Sequence, residues 1–375
     1  MHRSRLFKLL TALVGIAGLL PLAAGAHSNA HFKHRFKSLD TVYTMSNDPS
    51  GNSVLAFEQR RNGKLVASAE YSTGGLGTGG GLGNQSALAT DGYFLFAVNA
   101  GSDDLSVFKI RRNGLELVDR IASGGVRPVS VTVDRDLVYV LNAGSDNIAG
   151  FVVNHDGTLS VLSGSEQPLS GSGVDPAQIQ FSKDGRTLIV TEKATNQIVT
   201  FSLRAGLPVG TQVFPSAAPT PFGFALGKGG LVVVSEAAGG AANGSSASSY
   251  WLKRDGELLG LDTAVPTMQT AACWVAISPD GRFAYTTNTG SDTVSAYRVR
   301  RNGDLKLLDK NGIAGRVGEG GAPIDLTFSE QGEFLHVLNS GNQTITTFKV
   351  GWNGDLRRIG TLGGLPLGAN GLVAF

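Results

Sequence analysis

Apolar and polar residues alternate over short runs along this chain, and each run breaks at a turn before resuming. Ala284–Val299 reads AYTTNTGSDTVSAYRV, and near copies are FAVNAGSDDLSVFKI from Phe96 and VYVLNAGSDNIAGFVV from Val138. A period of two, interrupted by Asn-x-Gly-Ser-Asp, predicts two antiparallel strands joined by a tight turn. Counted by the last residue of each hairpin's first strand, the copies fall at Asn47, Asn99, Asn142, Glu192, Glu236, Asn288 and Asn339. Spacings of 52, 43, 50, 44, 52 and 51 residues match a four-stranded propeller blade. A further strand precedes each hairpin, as in Pro176–Phe181, and ends in an Asp/Gly turn such as Asp184-Gly185 or Asp280-Gly281. An Asn-Gly or Asp-Gly pair, such as Asn113-Gly114 or Asn302-Gly303, leads to a fourth strand.

The pattern therefore predicts an all-β fold: a seven-bladed β-propeller with four antiparallel strands per blade. Unit one opens directly on its second strand at Val42, and the C-terminal Gly371–Phe375 (GLVAF) has no later hairpin to serve. That segment is expected to complete the first blade, closing the ring and removing an exposed sheet edge.

The propeller accounts for residues 41–375. Ahead of it, Arg3, Arg5 and Lys8 precede the apolar Leu9–Leu22 and an Ala24-Gly25-Ala26 cleavage site, so residues 1–26 read as a signal peptide. The apolar core is short for a membrane span of roughly 20 residues. Residues 27–40 read as a flexible His-rich leader. A secreted or periplasmic protein without a membrane span is expected. Losing the three basic residues of the signal turns a formal charge of +2 into −1, which gives no bias toward nucleic acid. With one cysteine, Cys273, no internal disulfide forms, and stability rests on burial and strand pairing. The chain reads as a monomer.

Propeller geometry puts the Gly-Ser-Asp turns on the face that carries the connections between blades. Arg60, Arg61, Arg111, Arg112, Arg254, Arg300 and Arg301 belong to the opposite face and read as a solvated rim. Two loops of the first face depart from the repeat: Gly74–Gly83 leading into blade two, and Ala237–Ser249 in blade five. Neither has the Lys-Ser/Thr or helix start of a phosphate cradle, so each reads as a flap or close-packed backbone over the pore. The ring of strand ends is Asn except at Glu192 and Glu236. Two readings are open: an acid/base pair or cation site, or two solvated glutamates beside longer loops.

Equivalent innermost positions are assigned to Gln85, Ser130, Gln178, Gly223, Trp274 and Asp325, lining the central channel. From these come substrate contacts: Gln85 and Gln178 for a carbonyl, Trp274 as a wall, and Asp325. Arg127 is added for a carboxylate, with Asn142 and Asn288 on the same face. No His-Asp-Ser or Cys-His pattern points to a nucleophilic mechanism. His27, His31 and His34 have helical spacing for a metal but read more simply as part of a basic leader, so neither metal nor cofactor is assigned.

YTTNTGSDTVSAY and YVLNAGSDNIAGF resemble the YVTN-type propeller repeat. Over nearly the whole mature chain the pattern is similar to the lactonase family of seven-bladed propellers, which includes 6-phosphogluconolactonase-like and carboxymuconate-cyclising enzymes. The matching pieces are GLGTGGGLGNQ, VNAGSDDLSVF, Pro176–Phe181 followed by Glu192, and GANGLVAF. The resemblance implies hydrolysis or isomerisation of a small lactone at the central pocket, with Glu192 as general base and Glu236 as second carboxylate. Where the family carries Arg and His beside that proline, this chain has Ala177 and Gln178. The alternative is a non-catalytic binding or scaffold propeller.

Overall fold

A computed structural model describes residues 40–375; the signal segment, most of the leader and His27, His31 and His34 lie outside the described residues. Seven antiparallel sheets succeed one another along the chain, six of them built from consecutive strands. Blade four runs outward from the hub as Pro176–Phe181, Thr187–Glu192, Gln197–Arg204 and Leu207–Pro215. In blades three and six the outermost strand comes in two pieces, Leu159–Val161 with Gln167–Pro168 and Leu305–Leu307 with Gly315–Arg316. Gly164 and Gly312, with φ of 81° and 73°, lie in the two interruptions.

The second strands are buried on both faces, not alternately: Phe94–Asn99, Thr187–Glu192, Leu231–Glu236 and Phe334–Asn339 are buried throughout. Each blade is sandwiched between two neighbours, so both faces of its inner strands are core. The outermost strands are instead exposed over consecutive positions, as in Leu65–Ser72 and Leu258–Pro266.

Closure is complete. Asn370–Ala374 pairs antiparallel with Thr41–Met45, Val42 opposite Ala374 and Tyr43 opposite Val373. The backbones of Thr41 and Phe375 exchange two hydrogen bonds at 2.7 and 2.9 Å. The strand in blade one ends at Met45, so Asn47 falls two residues beyond it, in a loop, with φ of 51°.

The Gly-Ser-Asp motif is a joint between blades. Its serine accepts from the connection leading into its own blade: Ser102 from Leu76 N–H, Ser145 from Val126 N–H and Ser291 from Thr270 N–H, at 2.8–2.9 Å. Its aspartate, left-handed at Asp103, Asp146 and Asp292, accepts from the connection into the next blade, at Arg127, Gly173 and Ala322. Aspartate tolerates positive φ and supplies the acceptor, which few residues combine. The glycine permits contact, since a Cβ on Gly101 would lie 2.0 Å from the Gly77 carbonyl oxygen.

His336, fully buried, ties blade seven to blade one through Gln59 at 2.7 Å and bonds Thr347 at 3.0 Å. Burial holds its pKa down at about 3, against an ordinary 6.5. Below pH 6.5 the unfolded chain takes up a proton that the folded chain refuses. Stability should therefore fall by up to about 1.4 kcal/mol per pH unit from 6.5 toward 3 through this group. Denaturant midpoints across that range should lose this slope in His336→Gln.

Candidate functional site

The glycine-rich loop leading into blade two closes the hub on the Gly-Ser-Asp face. Asn47 holds its start, donating to Thr78 Oγ1 and Gly80 O and accepting from Thr78 N–H. Its end then descends into the hub. Asn84 donates to Val129 O of blade three and accepts from Trp274 Nε1 of blade six at 2.5 Å, and Gln85 N–H donates to Ala177 O of blade four. Gln85 thus lies three residues before the innermost strand of blade two, Leu88–Thr90, and not within it.

A ring of side chains below this plug bonds the backbone of the next blade. Ser130 Oγ accepts from Ile179 N–H at 3.1 Å. Gln178 clamps Phe224 in both directions, donating to its carbonyl at 3.0 Å and accepting from its N–H at 2.7 Å. Asp325 accepts from its own neighbour Leu326 and from Leu372 N–H of the closing strand. Gly223, at the same position in blade five, has no side chain to offer. Gln85 performs that job instead, bonding Val275 N–H and O at 3.2 and 2.9 Å, and a Cβ on Gly223 would lie 2.1 Å from its Oε1. The two glutamine amides assigned to a substrate carbonyl are thereby committed to the protein. Trp274 is buried against Phe222, ring centroids 4.8 Å apart, and against the plug, so it forms a wall of the hub interior.

Glu192 and Glu236 are both 0% exposed. Glu192 accepts from Ser170 N–H at 3.0 Å, Ser170 Oγ at 2.5 Å and Thr195 Oγ1 at 2.7 Å, beneath the connection into its own blade. The equivalent asparagines do related work: Asn288 donates to Thr293 and Ser295, Asn339 to Thr344 and Thr346, and Asn142 to Ser123 O. Asn142 and Glu192 thus reach the connection into their own blades, while Asn288 and Asn339 bond the next strand of their own blades, and, buried as they are, none of these four is free for a ligand. A glutamate does the capping job well here because Ser170 supplies two donors at once.

Glu236 is held differently. Only its Oε2 has a partner, Ser246 Oγ at 2.6 Å, while Oε1 has none among the described residues. Burial pushes its pKa up to about 7 against the pull of the Ser246 and Ser248 hydroxyls. The loop above it spans residues 237–245, shorter than expected, because the strand Ser246–Leu252 starts earlier. The unfolded chain ionises Glu236 from about pH 4.5 and the folded chain only near 7. Stability should fall with rising pH across that interval by up to about 1.4 kcal/mol per unit, opposite in sign to His336. Glu236→Gln should remove that slope in denaturant titrations between pH 4.5 and 8.

The ionisable group at the plugged mouth is Lys193. Its side chain is 9% exposed, its ammonium donates to Gly83 O of the plug, pairs with Asp175 at 3.3 Å and sits 4.9 Å from the Phe222 ring. Desolvation lowers its pKa; Asp175 opposes this and the nearby Arg127 adds to it. Arg127 is exposed, with φ of 55°. Cys273 also faces this cluster, but burial pushes its thiol up to about 12, so it holds its proton at neutral pH. The sequence carried a signal for Lys193. The residue after each strand end is Asp48, Ala100, Ala143, Ala237, Thr289 or Ser340 elsewhere, and lysine only in blade four.

Beyond the plug, the hub holds a cavity of about 270 Å³ whose polar lining is Gln85, Ser86, Thr90, Thr132, Gln180, Asp325 and Thr327, set among aliphatic residues such as Leu88, Val131, Ile179 and Leu372. Among the described residues no helix is long and apolar enough to cross a membrane, and no cluster of three or more His, Cys, Asp or Glu is arranged for a metal.

Strand order and closure define a seven-bladed β-propeller with a plugged hub. The chain belongs to the family described as Lactonase, 7-bladed beta-propeller, whose model matches residues 51–172 and 254–366. Glu192, Lys193 and Glu236 fall between the two matched stretches. The comparison with curated proteins returned no match. Among similar solved structures, a candidate 6-phosphogluconolactonase of Bacteroides fragilis is 18% identical, with a TM-score of 0.70 over 90% of this chain and 98% of that one. A protein of Lactobacillus plantarum is 16% identical with a TM-score of 0.73, over 90% and 99% of the two chains. The periplasmic gluconolactonase of Pseudomonas aeruginosa is 17% identical with a TM-score of 0.66, over 88% and 98%. At these identities the likeness is one of fold.

Proposed function

We propose that the protein is an exported lactonase-type hydrolase that opens a small ring ester, uncharged or carboxylated, at the plugged mouth of the hub. The observation that carries this reading is Lys193, a cation withdrawn from solvent with a depressed pKa where five elements converge. A desolvated ammonium stabilises a developing oxyanion more strongly than one in bulk water. Water attacks the ring carbonyl carbon, and the carbonyl oxygen takes up negative charge beside Lys193 Nζ. Asp175, 57% exposed and already paired to Lys193, accepts the proton from that water. As the intermediate collapses, the ring C–O bond breaks and the proton passes to the ring oxygen, giving the open hydroxy acid. Arg127 offers a second cation for a substrate carboxylate. Glu192 acts as a positioning residue, fixing Ser170 and Thr195 on either side of the turn that bears Lys193. The N-terminal signal pattern supports export, as does the periplasmic name of the Pseudomonas aeruginosa neighbour.

The test is pH-stat titration of the purified mature chain against a panel of sugar and muconate-type lactones. Turnover that disappears in Lys193→Met supports the assignment; turnover that survives it rejects Lys193. Absence of turnover across the panel favours a second reading, a non-catalytic binding propeller. Ala177 and Gln178 favour that reading, since Gln178 serves the blade joint and not a ligand.

A further inference from the structure

We propose that the hub cavity beyond the plug is a separate binding site for a small neutral polyhydroxylated molecule, a sugar or polyol. Its position separates it from the Lys193 mouth. Thr132, Gln180 and Thr327 stand two residues further along their innermost strands than Ser130, Gln178 and Asp325, toward the face opposite the Gly-Ser-Asp turns. Asn84 and Gln85 block the passage between the two ends. At about 270 Å³ the cavity has the liquid volume of about nine waters, too large to be a single-water void.

The lining selects the ligand class. Hydroxyls come from Ser86 and Thr327, an amide from Gln180 and a carboxyl from Asp325, while Thr90 already donates to Phe94 O and Thr132 accepts from Phe181 N–H, leaving its proton to donate; no lysine, arginine or histidine is among the lining residues. An anionic sugar phosphate or sugar acid would meet no compensating cation. Asp325 is 2% exposed, and burial raises its pKa well above the ordinary carboxylate value against the pull of the Leu326 and Leu372 N–H groups. Thr90, Gln180 and Thr327 are only half-buried and form the rim open to solvent. A cluster of hydroxyl, amide and carboxyl groups around a concave space fits ring hydroxyls, which both donate and accept.

Saturation-transfer NMR on the mature chain tests this with glucose, sorbitol and inositol against gluconate and glucose 6-phosphate. The neutral compounds are expected to bind and the two anions not. Gln180→Met and the near-isosteric Thr327→Val should each weaken neutral-ligand binding about tenfold, one hydrogen-bonding group apiece. Lys193→Met should leave it unchanged, so this result is independent of whether the mouth hydrolyses lactones. Absence of neutral-ligand binding, equal binding of the anions, or binding lost in Lys193→Met but retained in Thr327→Val would overturn the proposal.

Discussion

Deleting residues 370–375 is expected to abolish the cooperative thermal transition, or to lower it by more than 10 °C, roughly the shift that a loss of several kcal/mol produces in a domain of this size. The loss has three parts. Thr41–Met45 would lose one of its two pairing partners, and with it the backbone exchange between Thr41 and Phe375. Leu372 would leave the cluster it builds with Val42, Leu338, Ile345 and Leu365. Burying one such side chain is worth about 1.5–3 kcal/mol. Asp325 would lose the Leu372 N–H while remaining in the hub, leaving a buried carboxyl short of a donor. Against a typical stability of roughly 5–15 kcal/mol, these together reach the scale of the whole. Calorimetry of the truncated and full chains checks this, and an unchanged transition would mean that the closing strand contributes nothing.

Lys193→Met should lower kcat/KM for an accepted lactone on the order of 100-fold or more, while the melting temperature stays within a few degrees. The ammonium sits beside an aromatic ring and a backbone carbonyl, so removing its desolvated charge relieves a burial cost even as it removes the oxyanion partner. Lys193→Arg should not restore activity, because the planar guanidinium spreads its charge over a fork and does not reproduce the compact ammonium held against Gly83 O and the Phe222 ring. The pH profile carries the same signature. With the lysine pKa below its ordinary 10.5, activity should fall on the alkaline side earlier than a solvent-exposed lysine would allow. Asp175→Asn should lose on the order of 100-fold as well, through the missing proton acceptor. A Lys193→Met variant with wild-type kcat/KM would sink the assignment.

Much of this site lay beyond the reach of pattern. Gln85 and Gln178 have the right chemistry for a ligand carbonyl, but amides bond a neighbouring strand equally well. Which they do depends on the register between blades and on whether Gly223 leaves a gap. Glu192 stands out among asparagines because only one of its partners, Thr195, is local; the other, Ser170, comes from 22 residues earlier. Lys193 is visible as the one basic residue in its column, but its meaning depends on Gly83 and Phe222 meeting it at the mouth.

The sequence by itself determined seven blades, their strand order and the closing role of the last residues. Those follow from period-two hydrophobicity, turn dipeptides and the count of repeats, all local or additive properties. Tertiary structure decided where polar side chains point. A strand residue has two faces, and in a wheel of stacked blades both are buried, so only the neighbouring blade determines whether a given oxygen meets backbone, solvent or a ligand.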